Sequence, residues 1–362
     1  MPIKKKPVDE TRGQIVDPVI KGIVDLYGFD DSWSLLPIIP MGKGFIVLNN
    51  KSETTKKAVL SYENKRYILK EVPWYCSNEN FVSFMLKFQK AAHDAEMNLP
   101  GVVETQEETL FAEYSGKYYY LQEFILGESY NGSDKQIHEA GSNLGKLHEF
   151  SKLYVNRTDF DRTQFRETSF SLAKNMLNVL NQLVQQEEER LSTFELRILT
   201  SYITEATELV SELKSKVRDY PQLIIQVHGD YNPLNILYDD VGAVKTTFDL
   251  ENTILDHPVH DIAEGLVDFS FNRYKKNSTR FKELSSKFNT KKVKTFIEGY
   301  KASNKLIFEL ARPHIPEVIG TTLTELITLG LVRGDYDFKV GSYALEVIRS
   351  NVSELKMVIE EV

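Results

Sequence analysis

Three short apolar runs, 223–227, 236–238 and 244–248, bracket a fixed set of polar residues, and no other feature constrains the fold of this chain as much. The runs read as strands, the last two joined by a turn at 239–242. Between the first two lies His228-Gly229-Asp230-Tyr231-Asn232-Pro233-Leu234-Asn235, and the third runs into Phe248-Asp249-Leu250-Glu251. An Asp and an Asn thus stand five positions apart, and a second carboxylate follows fourteen positions later. That spacing suits phosphoryl transfer from ATP. Asp230 would orient an attacking hydroxyl and accept its proton, while Asn235 and Asp249 would hold the Mg²⁺ ions that bridge the phosphates.

Mg²⁺ takes hard oxygen donors and needs only one or two carboxylates beside phosphate oxygens, which an Asn and an Asp at hairpin ends supply. Glu251 would touch a second metal or the substrate. A lone His-Gly-Asp reads as a solvated turn and Asp-Leu-Glu as a strand end. The joint pattern, with its flanking apolar runs and the later Asp261, favours a working site.

Asp230 to Asn235 has the Asp-x-x-x-x-Asn geometry of the protein-kinase catalytic loop. With Gly229 before the Asp, and Asp-Leu-Glu after the strand, the segment resembles the signature of the aminoglycoside phosphotransferase and choline kinase superfamily. Asp256-His257-Pro258-Val259-His260-Asp261-Ile262-Ala263 is similar to that family's Pro-x-x-Asp-Leu-Ala segment. Within the superfamily the layout is most similar to the bacterial spore-coat CotS-like branch.

The resemblance implies a two-lobed, protein-kinase-like α+β fold and further roles. His228 and Asp261 would support the catalytic loop. Lys70, ending Tyr67-Ile68-Leu69-Lys70, matches the third-strand lysine that neutralises phosphate charge, where the bland reading is an ordinary strand lysine. Its partner would be a Glu on the next helix, Glu79 or else Glu96. Gly42 and Gly44, in Met41-Gly42-Lys43-Gly44-Phe45, fit a turn over nucleotide phosphates or a plain hairpin. Gln122-Glu123-Phe124-Ile125 would be the hinge that meets adenine. His148, closing an apolar helix, reads as packing.

The rest of the chain agrees with this architecture. Short apolar or alternating runs at 35–39, 44–48, 58–62, 66–70, 110–113 and 118–124 read as strands, with helices at 13–28 and 79–95. Helical periodicity dominates afterwards, at 134–150, 167–187, 193–218, 258–274, 290–312, 315–331 and 341–361. This predicts a β-rich N-lobe over 1–125 and a mainly helical C-lobe over 126–362. A formal net charge of −8 argues against nucleic acid, whose phosphates demand a basic face. The single cysteine, Cys76, suits a reducing cytoplasm. No apolar run approaches the length of a membrane span, so none is expected.

The expected activity is ATP- and Mg²⁺-dependent transfer to a hydroxyl of a small molecule: an amino alcohol, aminoglycoside, sugar or nucleoside. The acceptor's identity and the oligomeric state stay open. A protein-directed kinase would carry an activation segment, whereas only about ten residues separate Asp249 from the helix near 258. The same residues also admit a kinase-fold binding or spore-coat protein without turnover, or a metal-dependent hydrolase. Lys70 and a strand-rich N-lobe would have no role in the hydrolase.

Overall fold

The structure, a computed structural model, describes residues 18–36, 57–157, 169–217, 223–270 and 287–362. They fall into two compact units, the first made of 18–36, 57–87 and 101–124, the second of 88–100 and the described residues from 125 onward.

The first unit is built on a six-stranded antiparallel sheet. Its strands are β1 (Ser34–Leu35), β2 (Lys57–Tyr62), β3 (Lys65–Glu71), β4 (Val102–Val103), β5 (Ala112–Tyr114) and β6 (Lys117–Glu123). The order is β1-β2-β3-β6-β4, with β5 pairing the start of β6. Alternation sets the faces. Leu60, Leu69 and Leu121 point into a core closed by Ile23 and Val24 of helix α1 (Pro18–Leu26), together with Tyr27, Phe29 and Trp33. The Tyr27 hydroxyl donates to the Tyr119 carbonyl at 3.0 Å. The ring of Phe29 stacks on Tyr62 with centroids 4.1 Å apart. The two-residue β4 has no alternating pattern, and the sequence gives no signal for it.

Helix α2 (Glu79–Asp94) follows β3, and the division between units falls within it. Residues 88–100 belong with the helical unit by their contacts. Phe88 packs on Phe150 and Tyr154, and the Thr247 N–H donates to the Asn98 carbonyl at 2.7 Å.

The second unit is mainly helical: α3 (Asp134–Arg157), α4 (Ser169–Gln186), α5 (Thr193–Lys216), α6 (Val259–Ser270), α7 (Thr290–Ala311), α8 (Ile315–Val332) and α9 (Ala344–Glu361). A capping box starts α5. Ser192 Oγ accepts the Glu195 N–H at 3.2 Å, and Glu195 Oε2 accepts the Ser192 N–H at 2.8 Å. Periodicity alone reads α7 as unbroken, yet Asn304 leaves helical geometry at φ −150°, ψ 71°. Its side chain compensates: Oδ1 accepts the Ile307 N–H, and Nδ2 donates to the Gly145 carbonyl.

Helices α3 and α7 cross without room for side chains. A Cβ at Gly299 would meet the His138 carbonyl carbon at 2.8 Å and its oxygen closer still, and one at Gly141 would meet the Phe296 carbonyl. By length and composition Thr290–Val332 does hold a window apolar enough to cross a membrane, with mean hydropathy 1.4, which corrects the expectation that no run approaches a span. That window is 67% buried within the protein, because α8 packs against α4, α5, α6 and α9. Its apolarity is that of a core helix.

Two small ladders complete this unit. Strand β8 (Ile236–Tyr238) pairs β9 (Val244–Thr247), as the hairpin spacing predicts, with Ile236 opposite Thr247. Strand β7 (Ile225–Val227) pairs β10 (Ile254–Asp256), a strand too short to show a period in the sequence.

Candidate active site

The hairpin explains how Asn235 and Asp249 come together. The Phe248 N–H donates to the Asn235 carbonyl at 3.0 Å, so the residue before Asp249 lies directly across from Asn235. Asp249 holds a left-handed backbone, φ 72° and ψ 57°, and is half-buried. A non-glycine residue in that region carries strain of about 1–3 kcal/mol, a device that concentrates at functional sites. Glu251 follows on the same short turn and is buried.

Asp230 is held by amides. Asn232 Nδ2 donates to its Oδ1 at 2.7 Å, and Asn235 Nδ2 donates to its Oδ2 at 2.9 Å. Asn235 Nδ2 also reaches the Asp230 carbonyl at 2.9 Å. Burial first, then the negative charges of Asp268 and Asp249, push the Asp230 carboxyl up to about 7, while the two amides pull it down. Gly229 is required before it. Its φ is +79°, and a Cβ there would meet the Asn252 carbonyl carbon at 2.7 Å.

The loop is tied from behind. Asp261, buried on α6, accepts the His228 N–H at 2.7 Å and the Gly229 N–H at 2.9 Å. His228 accepts the Asp230 N–H at Nδ1, so its Nε2 is the protonated nitrogen and donates to the Phe248 carbonyl at 3.1 Å. Burial lowers the His228 pKa, which agrees with a neutral ring. Burial alone would raise Asp261, but its hydrogen bond with His148 and the nearby imidazoles hold it below the usual carboxylate range.

Four participants escape the sequence reading. His148 is more than packing: Nε2 lies 3.0 Å from Asp261 Oδ2, and Nδ1 lies 2.8 Å from the Tyr300 hydroxyl. Glu264 accepts the Tyr231 N–H at 3.0 Å. Asn232 braces Asp230, and its position two residues on was the available signal. Asn143 donates to both Tyr231 Oη at 3.2 Å and Thr247 Oγ1 at 2.9 Å, joining the loop to the hairpin. Leu234 is 65% exposed between the buried Pro233 and Asn235, apolar surface that packing does not explain.

Hard donors are in place for Mg²⁺. The Asn235 amide nitrogen is engaged with Asp230, which turns its oxygen to the other side, and Asp249 adds one carboxylate. No cluster of three or more His, Cys, Asp or Glu forms a cage among the described residues. Such a sparse set fits an ion that takes its other ligands from phosphate and water.

In the first unit, Lys70 is 3% exposed on β3, paired in register with Tyr120, and its Nζ lies 5.3 Å from that ring's centroid. Glu79 opens α2 and is exposed, and Glu96 sits in a left-handed turn beyond the helix. Gln122 is buried opposite Ile68. The N–H groups of Glu123 and Phe124 are engaged by the carbonyls of Gly101 and Arg66, and Ile125 follows the strand. The proposed phosphate turn at Gly42 and Gly44 lies outside the described residues.

The sequence profile of the phosphotransferase enzyme family matches residues 47–276. No curated protein sequence matches. Among solved structures, an aminoglycoside phosphotransferase from Alicyclobacillus acidocaldarius superposes with a TM-score of 0.63 at 14% identity, covering 99% of this chain and 98% of its own. An amicoumacin kinase in complex with AMP-PNP, Ca²⁺ and Ami gives 0.61 at 14% identity, covering 93% of each chain. A microcompartment-associated aminopropanol kinase gives 0.59 at 13% identity, covering 95% of this chain and 98% of its own. The likeness is one of fold, the two-lobed kinase-like α+β architecture.

Proposed function

From a chain that belongs to the phosphotransferase enzyme family, we propose a specific activity: transfer of the γ-phosphate of ATP, with Mg²⁺, to a hydroxyl of a small molecule. The observation that carries this reading is the Asp230 carboxylate braced by Asn232 and Asn235, with Asp249 brought beside Asn235 by the β8–β9 hairpin.

The acceptor oxygen forms a bond to the γ-phosphorus as the bond to the β–γ bridging oxygen breaks, and ADP leaves. Asp230 receives the hydroxyl proton. Its two amide contacts fix where the carboxylate points, and in a loose transition state orientation matters more than basicity. Asn235 and Asp249 would hold Mg²⁺, which when bound neutralises phosphate charge and offsets the negative field around Asp230. Lys70 would meet phosphate oxygens, with Glu79 the proposed partner. The hinge at 122–125 would meet adenine through carbonyls and the amides from Ile125 on, since those of Glu123 and Phe124 are engaged. His228 and Asp261 keep the loop in shape.

A small acceptor is supported by the short connection between Asp249 and α6, which leaves no room for an activation segment. The matched solved structures are named for small molecules: an aminoglycoside, amicoumacin and aminopropanol. The test is ATP consumption in the presence of hydroxylated metabolites, with thermal stabilisation by ATP measured with and without Mg²⁺. Slow hydrolysis without acceptor and strong stimulation by one compound is the expected result. Absence of both Mg²⁺-ATP stabilisation and turnover would overturn the reading.

A further inference from the structure

Four consecutive backbone N–H groups, those of residues 228 to 231, all end on side-chain acceptors. Asp261 takes the first two, His228 Nδ1 the third at 3.2 Å, and Glu264 Oε2 the fourth at 3.0 Å. None of these bonds belongs to a helix or sheet ladder. The loop's shape is therefore set by side chains, two of them carboxylates three residues apart on α6 and hence on neighbouring positions of one face.

Glu264 holds the peptide that matters most. The plane between Asp230 and Tyr231 is gripped at its N–H by Glu264 and at its carbonyl by Asn235 Nδ2 at 2.9 Å and Asn232 Nδ2 at 3.2 Å. The same Asn235 nitrogen orients the Asp230 carboxylate. Releasing the N–H end lets this plane rotate, carrying with it the amide that aims both the proton acceptor and the Asn235 oxygen.

We propose that Glu264 is a positioning residue for phosphoryl transfer, its carboxyl oxygen clamping the Tyr231 N–H so that Asp230 and Asn235 keep their geometry. The proposal rests on the phosphotransferase reading above. Burial and the charges of Asp230, Asp268 and Asp261 push the Glu264 carboxyl well up. A carboxyl oxygen and a glutamine amide oxygen both accept an N–H, so the clamp depends on reach and on the acceptor.

Two variants of the full chain separate these properties. Glu264→Gln keeps reach and an acceptor oxygen without an ionisable carboxyl, whereas Glu264→Asp keeps the carboxyl and falls one methylene short. Hydrogen exchange of the peptide covering 228–236 is the first readout. The Asp variant should exchange at least about 10-fold faster at Tyr231, and the Gln variant should match the wild type. The second readout is steady-state transfer with Mg²⁺-ATP. The Asp variant should lose about 10-fold to 10²-fold in kcat with the KM for ATP nearly unchanged, and Gln should restore it. Equal loss in Gln and Asp would show that the carboxyl itself, not its reach, is required and overturn the proposal, as would wild-type exchange in the Asp variant. A wild type with no turnover would count against the phosphotransferase reading alone, because the exchange measurement decides the clamp by itself.

Discussion

Gly299→Ala adds one methyl group at the crossing of α3 and α7, remote in sequence from the catalytic loop. The new Cβ would meet the His138 carbonyl carbon at 2.8 Å and the oxygen closer still, and both are backbone atoms that no rotamer change can move. The helices must separate by about 1 Å, a gap that forfeits a quarter to a half of each dispersion contact it opens. Overpacking of this kind costs about 1–3 kcal/mol, and more where only backbone can yield. Alanine returns about 1 kcal/mol of helix propensity. A net loss of about 2 kcal/mol follows, or roughly 4–8 °C in Tm for a unit of this size. Activity should fall as well. Tyr300, the next residue, contacts His148 on α3, and His148 contacts Asp261, which grips His228 and Gly229. Far-UV circular dichroism against temperature, alongside ATP turnover, measures both effects. Gly116→Ala is the control: nothing lies within 4 Å of its Cβ, and only its φ of +72° is unfavourable. A Gly299→Ala protein with unchanged Tm and turnover would refute the close-crossing argument.

Asp249→Ala should abolish Mg²⁺-dependent transfer, because it removes the carboxylate that the hairpin brings beside Asn235; a purified variant with near-normal turnover would remove Asp249 from the metal assignment. Asp230→Asn should cut turnover by about 10² or more while nucleotide-induced stabilisation persists, since it removes the proton acceptor and sets an amide against the donors of Asn232 and Asn235. Loss of nucleotide affinity with turnover retained would reverse that assignment. His257, buried and accepting the Val259 N–H at Nδ1, is pushed down to about 3 by burial and by the neighbouring imidazoles of His260, His314 and His148. The unfolded chain binds its proton near pH 6.5, so this residue's contribution to stability is present above that pH and lost on acidification toward 3. His257→Asn keeps an acceptor and cannot titrate, so it should lose less stability over that range, by about 5 kcal/mol at most; identical urea midpoints against pH for both proteins would exclude the effect.

The sequence by itself determined which residues the loop and the hairpin bring together. Asp230, Asn235 and Asp249 lie within one strand–loop–hairpin unit, where antiparallel pairing over a few residues fixes which side chains meet. Gly229 stood in the motif, but its left-handed backbone and the close approach of the Asn252 carbonyl came from the structure. The succession of strand and helix periods likewise gave the two-lobed α+β architecture, because period depends on which face is buried, not on what covers it. Only the tertiary structure decided what holds the loop still. Glu264 and Asp261 act across 33 residues, His148 reaches Asp261 across 113, and Tyr300 reaches His148 across 152. No local pattern marks such pairs: an acid on a helix face reads alike whether it meets water or a backbone N–H. The kink at Asn304, the close α3–α7 crossing and the burial of the apolar α8 belong to the same class. Each depends on which surface arrives opposite, and that is set by the packing of whole helices.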